Sequence, residues 1–293
     1  MTNSVITVLI INYKTSHLMR KLIDSIQENI DVEILIVDNA STIETYAGLE
    51  AINDERLHLL KSEKNLGFTG GINFALKYVI EKMPYIKYFF LFNPDALSIP
   101  HLIENLYRIM QSEKNVAAVS PRILYTDGNP WYSGATLSTS KGRVYNNPVN
   151  VKKDIAEYYD VDVFSGCAVL FDLKKVIEAG MFNEDLFMYY DEADLSIKLK
   201  EKGYRILYTP VLVIFHDVSY TTKNITHLKT YYMTRNKFIV FNKKMSLYSK
   251  VYFMLYEFAF HIKNRRIKNA IYHLRGFYDF LKGKKGSHSE IKV

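Results

Sequence analysis

Residues 33–41 read EILIVDNAS, and this stretch decides the fold class. It opens with the mostly apolar run Glu33–Val37 and closes with the turn-forming stretch Asp38–Ser41. A run without polar alternation is typical of a parallel strand that is covered on both faces. The turn-forming residues would then lie at the carboxyl end of that strand, where open parallel sheets bind their ligands.

Similar apolar runs recur through the first 220 residues, and helix-like segments separate them. The further predicted strands are Thr7–Ile11, Tyr88–Phe92, Val116–Ser120, Val163–Phe171 and Val211–Phe215. Apolar residues at helical spacing predict amphipathic helices over Ser16–Ile30 and Gly71–Lys82. The order strand, helix, strand favours right-handed βαβ units. The predicted fold is therefore α/β, with a mostly parallel central sheet flanked by helices.

Composition and charge exclude several classes of protein and divide the chain in two. Hydrophobic residues make up 48% of the 293 residues and charged residues 24%, which excludes a disordered or low-complexity chain. Residues 221–293 hold sixteen Lys and Arg against three Asp and Glu, a net charge of +13, whereas residues 1–220 carry −6. We therefore predict a catalytic or binding domain over residues 1–220 and a basic, aromatic-rich helical extension over residues 221–293.

The cysteine content and the N-terminal sequence predict a cytoplasmic protein. The single cysteine, Cys167, cannot form an intrachain disulfide, which excludes a disulfide-bonded secreted scaffold. The apolar run Val5–Ile11 has no basic stretch before it and no small-residue cleavage site after it, so it indicates a strand and not a signal peptide. No stretch has the ~18–20 apolar residues that a membrane-spanning helix needs.

Polar residues follow four of the predicted strands. These residues are Asn12 and Tyr13, Asp38, Asn93 and Asp95, and His216. One polar strand end is expected in any protein, because turns favour residues such as Asn and Asp. Four polar strand ends favour a ligand site at this edge of the sheet. Asp95 and His216 are candidate ligands of Mg²⁺ or Mn²⁺, ions that bind protein carboxylates together with the phosphate oxygens of a substrate.

A glycine-rich segment and an acidic segment also carry residues suited to chemistry. Asn65–Gly71 precedes a predicted helix, and its glycines would let an anionic ligand approach backbone amides at the helix N terminus. A flexible loop is the alternative interpretation. Asp191, Glu192 and Asp194 open another helix, where they either complement the helix dipole or present a base at the rim of a cleft. Asp194 is also placed to pair with Lys198.

The order and spacing of these motifs resemble the family 2 glycosyltransferases, especially the bacterial rhamnosyltransferase-like branch. The resemblance covers about residues 5–219. It is carried by Asn12-Tyr13, Val37–Ser41, Asn65–Phe68 with Gly70 and Asn73, Asn93-Pro94-Asp95, Ser165–Ala168, Phe187–Leu195, Gly203 and His216. Each motif alone is weak, but together and in this order they are a specific signal.

The resemblance implies a GT-A fold with defined roles for these residues. The nucleotide-sugar site would comprise Asn12, Tyr13, Asp38, Asn65, Gly67, Phe68, Gly70, Asn73, Asn93 and Asp95. Within it Asp38 would read the base. Asn93-Pro94-Asp95 stands where the family has its metal motif, with Asn in place of the first Asp, so that Asp95 and His216 would bind the cation.

The acidic segment departs from the family, which usually has Glu-Asp where this chain has Asp191-Glu192. Glu192 aligns with the usual catalytic base but has one more methylene group. It also lies three residues before Leu195 and seven before Leu199, on the apolar stripe of the predicted helix. We therefore predict Glu192 as the catalytic base and Asp191 as the residue that orients the acceptor.

The predicted activity is that of an inverting, metal-dependent glycosyltransferase that uses Mn²⁺ or Mg²⁺. It would move a sugar such as rhamnose from a UDP- or dTDP-sugar to a hydroxyl of a cell-surface polysaccharide or a lipid-linked glycan. A UDP-dependent galactofuranosyl- or hexosyltransferase is the alternative within this class. A sugar nucleotidyltransferase is more remote, because residues 12–17 contain no glycine for a phosphate-binding loop.

The basic extension predicts a partner of opposite charge. Nucleic acid is disfavoured, because the body of the protein is acidic. Aromatic residues mixed with Lys and Arg over Tyr248–Phe280 are typical of a segment that binds an anionic membrane surface, which would place the enzyme on the inner face of the cell membrane. The alternative is a pair of helices packed on the body with a solvated basic face.

Overall fold

A ten-stranded mixed sheet lies at the centre of the protein in the computed structural model, which describes residues 5–146, 156–217 and 226–288. Six of its strands run in one direction: β1 (Ile6–Asn12), β2 (Val32–Asn39), β3 (Leu57–Ser62), β4 (Tyr88–Phe92), β6 (Val116–Tyr125) and β12 (Arg205–His216). The other four run against them: β5 (Ala96–Leu97), β7 (Pro130–Tyr132), β10 (Tyr159–Asp160) and β11 (Ala168–Asp172).

The strand order is β10-β12-β6-β11-β4-β1-β2-β3, with β5 paired to β12 and β7 paired to β6. A separate hairpin consists of β8 (Ala135–Ser138) and β9 (Arg143–Asn146). The helices are α1 (Ser16–Ser25), α2 (Ile43–Glu50), α3 (Gly67–Lys82), α4 (Leu102–Ser112), α5 (Leu173–Glu178), α6 (Asp191–Glu201), α7 (Thr226–Phe241), α8 (Leu247–Lys263) and α9 (Ile267–Leu281). A mostly parallel sheet with flanking helices confirms the predicted α/β class.

The parallel register brings the predicted strand ends together. β1 pairs with β2 from Ile6 opposite Val32 to Asn12 opposite Asp38. Every residue of β1 is buried, which agrees with a strand that is covered on both faces. Because β4 and β12 run in the same direction as β1, the residues that follow these strands lie at the same edge of the sheet.

Several predicted boundaries are wrong, each for a local reason. Strand β3 was missed because it lies at the sheet edge, where half-buried polar residues such as His58 break up the apolar run. β12 begins at Arg205, six residues before the predicted start, and is irregular between Thr209 and Val213. β11 begins only at Ala168 and not at residue 163, and α1 ends at residue 25 and not at residue 30.

The extension packs on the body through α7, which lies against α9 and buries several polar side chains. After α9, the chain up to His288 folds back onto α7. His288 is buried, and its amide donates to the Tyr232 hydroxyl at 3.0 Å. Among the residues that the structure describes, no helix is both long and apolar enough to cross a membrane.

Candidate active site

A carboxylate and an imidazole meet at the carboxyl edge of the sheet. Asp95 lies in the turn between β4 and β5, and His216 is the last residue of β12. The pairing of β12 with β5 puts His216 opposite Ala96, and the Asp217 amide donates to the Asp95 carbonyl at 2.9 Å. His216 Nε2 lies 2.9 Å from Asp95 Oδ1, and both side chains are buried. The two predicted metal ligands therefore form one polar pair.

The pair has the donor chemistry of a divalent-cation site. Mn²⁺ is coordinated by carboxylate oxygens and, more weakly, by imidazole nitrogens, whereas Mg²⁺ prefers oxygen ligands. His216 Nδ1 is also buried, with no hydrogen-bond partner among the described residues. Within residues 5–146, 156–217 and 226–288, no group of three or more His, Cys, Asp or Glu side chains could hold a metal ion. A cation at this pair would therefore need further oxygens from a substrate or from water.

A cavity of about 70 Å³ opens beside Glu192, at the start of α6. Its walls include Trp131, Val144, Phe164 and Ser165. Trp131 is the one tryptophan of the chain, and its ring also packs edge-on against His216, with centroids 5.0 Å apart. The same indole thus borders both the Glu192 cavity and the Asp95–His216 pair.

The backbone around Gly166 connects Glu192 with the Asp95–His216 pair. The Gly166 amide donates to Glu192 Oε1 at 2.5 Å. The next carbonyl, that of Cys167, accepts from the Asn93 amide at 2.8 Å, in the turn that carries Asp95. Burial, and then the negative charges of Asp95 and Glu192, raise the pKa of the Cys167 thiol. The proposed base and the proposed metal ligand therefore flank the same short segment.

Both carboxylates that open α6 are held where ionisation is disfavoured. Burial, and then the charge of Asp191, raise the pKa of Glu192 to about 8, against the opposing effect of the Gly166 amide. Burial raises the pKa of Asp191 to about 6, and the charge of Asp194 adds to this rise. A carboxylate with a raised pKa is a stronger base, which suits proton transfer near neutral pH. Asp194 pairs with Lys198 at 2.6 Å, which confirms the expected ion pair.

Asn12 and Asp38 hold each other at the ends of β1 and β2. Asn12 Nδ2 donates to Asp38 Oδ1 at 2.8 Å, and the Ser41 amide donates to Asp38 Oδ2 at 3.2 Å. Asn12 Oδ1 accepts from the Thr15 hydroxyl at 2.8 Å. Asp38 has no exposed surface, so both of its carboxylate oxygens stabilise the loops after these strands. Its role in reading a base stays a prediction.

The Asn39 side chain stabilises the predicted nucleotide-sugar loop, which begins at Asn65, through hydrogen bonds. Asn39 Nδ2 donates to the Gly67 carbonyl at 3.0 Å, and its Oδ1 accepts from the Leu66 amide at 2.8 Å. Asn65 Oδ1 accepts from the Gly67 amide, also at 2.8 Å. The side chain of Asn39 thereby fixes the start of α3 to the end of β2.

The first amides of α3 already have acceptors within the protein. Phe68 and Thr69 donate to the Phe187 carbonyl at 2.7 and 3.4 Å. Gly67 has a φ of +73°, and a Cβ atom there would lie 2.4 Å from the same carbonyl oxygen. A Cβ atom on Gly70 would lie 2.9 Å from the side chain at residue 66. These glycines allow close packing, and they do not open the helix N terminus to a ligand as the sequence suggested.

The other residues of the predicted nucleotide-sugar site differ in how free their polar groups are. Asn73 is buried, and its Nδ2 donates to the Phe182 carbonyl at 2.8 Å and to Glu184 Oε1 at 2.9 Å. It therefore anchors the loop that precedes α6. The Tyr13 hydroxyl is buried without a hydrogen-bond partner among the described residues, and Asn93 is partly buried after β4. Tyr13 and Asn93 are thus better placed than Asn73 to bind a ligand.

Three further residues lie around this site that the sequence patterns did not predict. Trp131 comes from a short strand with little apolar pattern, and its only signal was that the chain has no other tryptophan. Arg235 and Asn236 lie on α7, are buried, and donate to carbonyls of the segment before α6. The sequence feature that could have identified this pair is two adjacent polar residues within an otherwise aromatic-rich helix.

The arrangement defines a class of protein. A mostly parallel sheet with buried polar side chains at the carboxyl ends of its strands is the architecture of a GT-A glycosyltransferase. The family model for glycosyl transferase family 2 matches residues 7–179, more than half of the chain. The chain belongs to that family.

Known proteins that are similar to this chain include one relative by sequence and two solved structures. The low-salt glycan biosynthesis hexosyltransferase Agl10 of Haloferax volcanii is 26% identical over 246 residues, which are 84% of this chain and 77% of the relative. The mannosyltransferase PcManGT from Pyrobaculum calidifontis, solved with GDP-Man and Mn²⁺, has a TM-score of 0.60 at 16% identity, over 97% of this chain and 89% of that chain. GalNAc-T7, solved with UDP, GalNAc and Mn²⁺, has a TM-score of 0.59 at 14% identity, over 80% of this chain and 51% of that chain. The two structures confirm the predicted GT-A fold.

Proposed function

We propose that this protein is an inverting, divalent-metal-dependent glycosyltransferase that acts on a nucleotide-sugar. The observation that carries the proposal is the placement of Glu192 and the Asp95–His216 pair on either side of the Gly166–Cys167 backbone. Such a site has a base at one end and a place for a diphosphate at the other. Direct displacement between the two would invert the anomeric centre and needs no covalent intermediate.

The residues divide the chemistry of such a transfer between them. Glu192 takes the proton of the acceptor hydroxyl as the hydroxyl oxygen attacks the anomeric carbon, and Asp191 orients the acceptor. The bond from that carbon to the nucleoside diphosphate breaks, and negative charge grows on a phosphate oxygen. A divalent ion held by Asp95 and His216 would stabilise this charge. Burial of these groups strengthens each electrostatic interaction.

The donor that we propose is a UDP- or dTDP-sugar carrying a hexose or a deoxyhexose such as rhamnose. The rhamnosyltransferase-like pattern Asn93-Pro94-Asp95 supports a deoxyhexose. Similarity to the hexosyltransferase Agl10 supports a hexose. The same relative is named for glycan biosynthesis, which supports a cell-surface or lipid-linked glycan as the acceptor.

A screen of nucleotide-sugars tests this proposal. UDP-, dTDP- and GDP-sugars would be incubated with the full chain and Mn²⁺, Mg²⁺ or EDTA, and release of the nucleoside diphosphate would be measured. We expect release from one donor class, faster with an acceptor glycan and dependent on the cation. Release of pyrophosphate from a sugar phosphate and a nucleoside triphosphate would instead identify a nucleotidyltransferase.

We further propose that α8 and α9 bind the anionic surface of a membrane on its cytoplasmic side. Large apolar side chains of both helices face solvent, with Leu247 76% and Tyr248 77% exposed. The exposed set continues with Val251, Tyr252, Leu255 and Tyr256 on α8, and with Ile267, Ile271, Leu274, Tyr278 and Leu281 on α9. Exposed apolar area of this extent on two neighbouring helices is unusual for a protein surface that meets only water.

Charge favours an anionic bilayer as the occupant of this apolar surface. An exposed basic cluster lies at the turn between α8 and α9 and comprises Lys263, Arg265, Arg266 and Lys268. Within the described residues none of these four forms an ion pair with an acidic side chain. The one acidic residue of α8, Glu257, is partly buried, and its charge raises the pKa of Tyr190 beyond the effect of burial. The exposed apolar face of α8 is therefore free of negative charge, because the one carboxylate of this helix lies near Tyr190.

Vesicle binding tests this surface with variants that leave the fold intact. The triple variant Leu247→Ser, Tyr248→Ser, Leu255→Ser changes exposed residues only. Its binding to anionic vesicles should be about tenfold weaker than that of the wild type, because it loses apolar area that the membrane would bury. The double variant Arg265→Gln, Arg266→Gln should lower vesicle binding by a similar factor, because each basic residue contributes about 1 kcal/mol to binding an anionic surface. This loss should be seen only at low salt, since salt screens the attraction. Ile43→Ser, at a residue 81% exposed on α2, is the matched control and should bind as the wild type does.

Two results would contradict the membrane surface. Equal recovery of the wild type with neutral and anionic vesicles would remove the role of the basic cluster. A concentration-dependent dimer that the triple variant abolishes, together with unchanged vesicle binding, would assign the face to a second copy of the chain. Sedimentation velocity on the same samples measures the dimer.

A further inference from the structure

The segment that leads into α6 has a strained backbone. Phe187, Tyr189 and Tyr190 have φ angles of +66°, +67° and +65°, a region that residues other than glycine adopt only at an energetic cost. Asp191 and Glu192 follow directly. We call residues 185–190 the approach segment. Its backbone sets the direction in which the two carboxylates enter the site, so something outside it must hold it in place.

Two buried side chains of α7 donate hydrogen bonds to this segment. Arg235 Nη2 lies 3.1 Å from the carbonyl oxygens of Asp185 and Leu186. The acceptors of Asn236 Nδ2 are the carbonyl oxygens of Leu186, Met188 and Tyr189, at 2.9, 2.7 and 3.1 Å. Neither Arg235 nor Asn236 has exposed surface, and Arg235 Nε donates to Asn236 Oδ1 at 3.0 Å. The two side chains therefore act as one unit, which we call the α7 clamp.

Other parts of the chain complete the support. The Phe187 carbonyl accepts from the first amides of α3, so the approach segment is bonded from two sides. Arg235 Nη1 donates to the Gly286 carbonyl at 2.7 Å, and the Gly286 amide donates to the Asp185 carbonyl at 2.8 Å. The returning C-terminal stretch thus fixes the guanidinium of the α7 clamp. Each carbonyl from residue 185 to residue 189 accepts a hydrogen bond.

We propose that Arg235 and Asn236 are positioning residues for glycosyl transfer, holding the approach segment so that the Glu192 carboxylate stays at the Gly166 amide. The proposal rests on the proposed function. A carboxylate that must meet an acceptor hydroxyl tolerates little displacement, and a shift of about 1 Å can cost about 10²-fold in rate. The extension is on this reading part of the catalytic apparatus, although neither residue touches the reacting atoms.

Steady-state kinetics of matched variants tests the α7 clamp. Asn236→Ala removes the amide group that donates to three carbonyls. Arg235→Lys keeps the charge but loses the planar guanidinium, which also donates to three carbonyls. We expect kcat to fall about 10²-fold in Asn236→Ala while the KM for the donor stays within about twofold. We also expect the acid limb of the pH profile of kcat/KM to move to lower pH, because a displaced Glu192 carboxylate is better solvated.

Thr234→Val is the matched control, since Thr234 lies beside the clamp on α7 but bonds His273 Nδ1 of α9, at 2.7 Å. It should lower the melting temperature and leave kcat and the pH profile unchanged. The positioning role is refuted if Asn236→Ala, assayed below its melting temperature, keeps the wild-type kcat, or if all three variants lose activity in proportion to stability. Should Asn236→Ala not fold, the pH profile of Arg235→Lys decides. A wild type without turnover refutes the proposed function, whereas an active wild type with unaltered clamp variants refutes only the positioning role.

Discussion

Glu192→Gln is expected to lower kcat by about 10²–10⁴-fold, because it removes the proposed general base. Glutamine has nearly the same size, and its carbonyl oxygen can still accept the hydrogen bond from the Gly166 amide, so the loop and the cavity stay in place. Affinity for the donor should remain near that of the wild type. Rates of nucleoside diphosphate release and calorimetric titration with the donor measure the two quantities separately.

The pH dependence follows from the raised pKa of Glu192. The base must be ionised, and burial beside Asp191 raises its pKa to about 8, so kcat/KM of the wild type should rise with pH up to that value and level off above it. The contribution of Glu192 to the stability of the folded protein depends on pH in the opposite direction and falls as pH rises. Between the ordinary pKa of a glutamate and about pH 8 the folded protein binds more protons than the unfolded chain, so the contribution of this group to stability is lost as pH rises. Glu192→Gln should therefore melt at a higher temperature than the wild type at pH 9, with a smaller difference at pH 5.

Two neighbouring carboxylates serve as controls for Glu192. Asp194→Asn leaves the site intact, because Asp194 is engaged by Lys198, and it should keep most of the wild-type kcat. Asp191→Asn should raise the KM for the acceptor more than it lowers kcat. Near-wild-type kcat in Glu192→Gln, combined with an inactive Asp191→Asn, would transfer the role of base to Asp191.

Asp95→Ala is expected to abolish turnover. The substitution removes the only carboxylate of the proposed metal pair and leaves His216 without its partner at 2.9 Å. A divalent cation would then have a single protein ligand and could not hold the diphosphate in place. Turnover with Mn²⁺ and Mn²⁺-dependent binding of the nucleoside diphosphate, measured by calorimetry, should both be lost in the variant.

Asp172→Asn provides the matched control for Asp95. Asp172 also ends a strand, but β11 runs antiparallel, so this carboxylate lies at the opposite edge of the sheet, paired with Lys175. Its loss should lower stability without changing the dependence on the cation. Full activity of the wild type after treatment with EDTA and gel filtration would show that the reaction needs no cation at Asp95.

Sequence alone was sufficient to predict that polar strand ends gather at one edge of the sheet. Strands such as β1 and β2 are buried on both faces, so their apolar runs are visible without any knowledge of the fold. The chain must turn where such a run ends, and the direction shared by parallel strands puts Asn12, Asp38, Asp95 and His216 at one edge. Sequence patterns were much weaker for β3, which is half-buried at the edge of the sheet and has no continuous apolar run.

What only the tertiary structure decided is the environment of each polar group. The sequence presents Asp38, Asn73 and Glu192 as equally polar, yet the fold uses the first two to bond loops and places Glu192 beside a cavity. The raised pKa of Glu192 arises from burial against residues distant in the chain, and the donors of Arg235 and Asn236 reach carbonyls about 50 positions away. Hydrogen bonds and desolvation act over a few ångströms in space, so no spacing along the chain could reveal them.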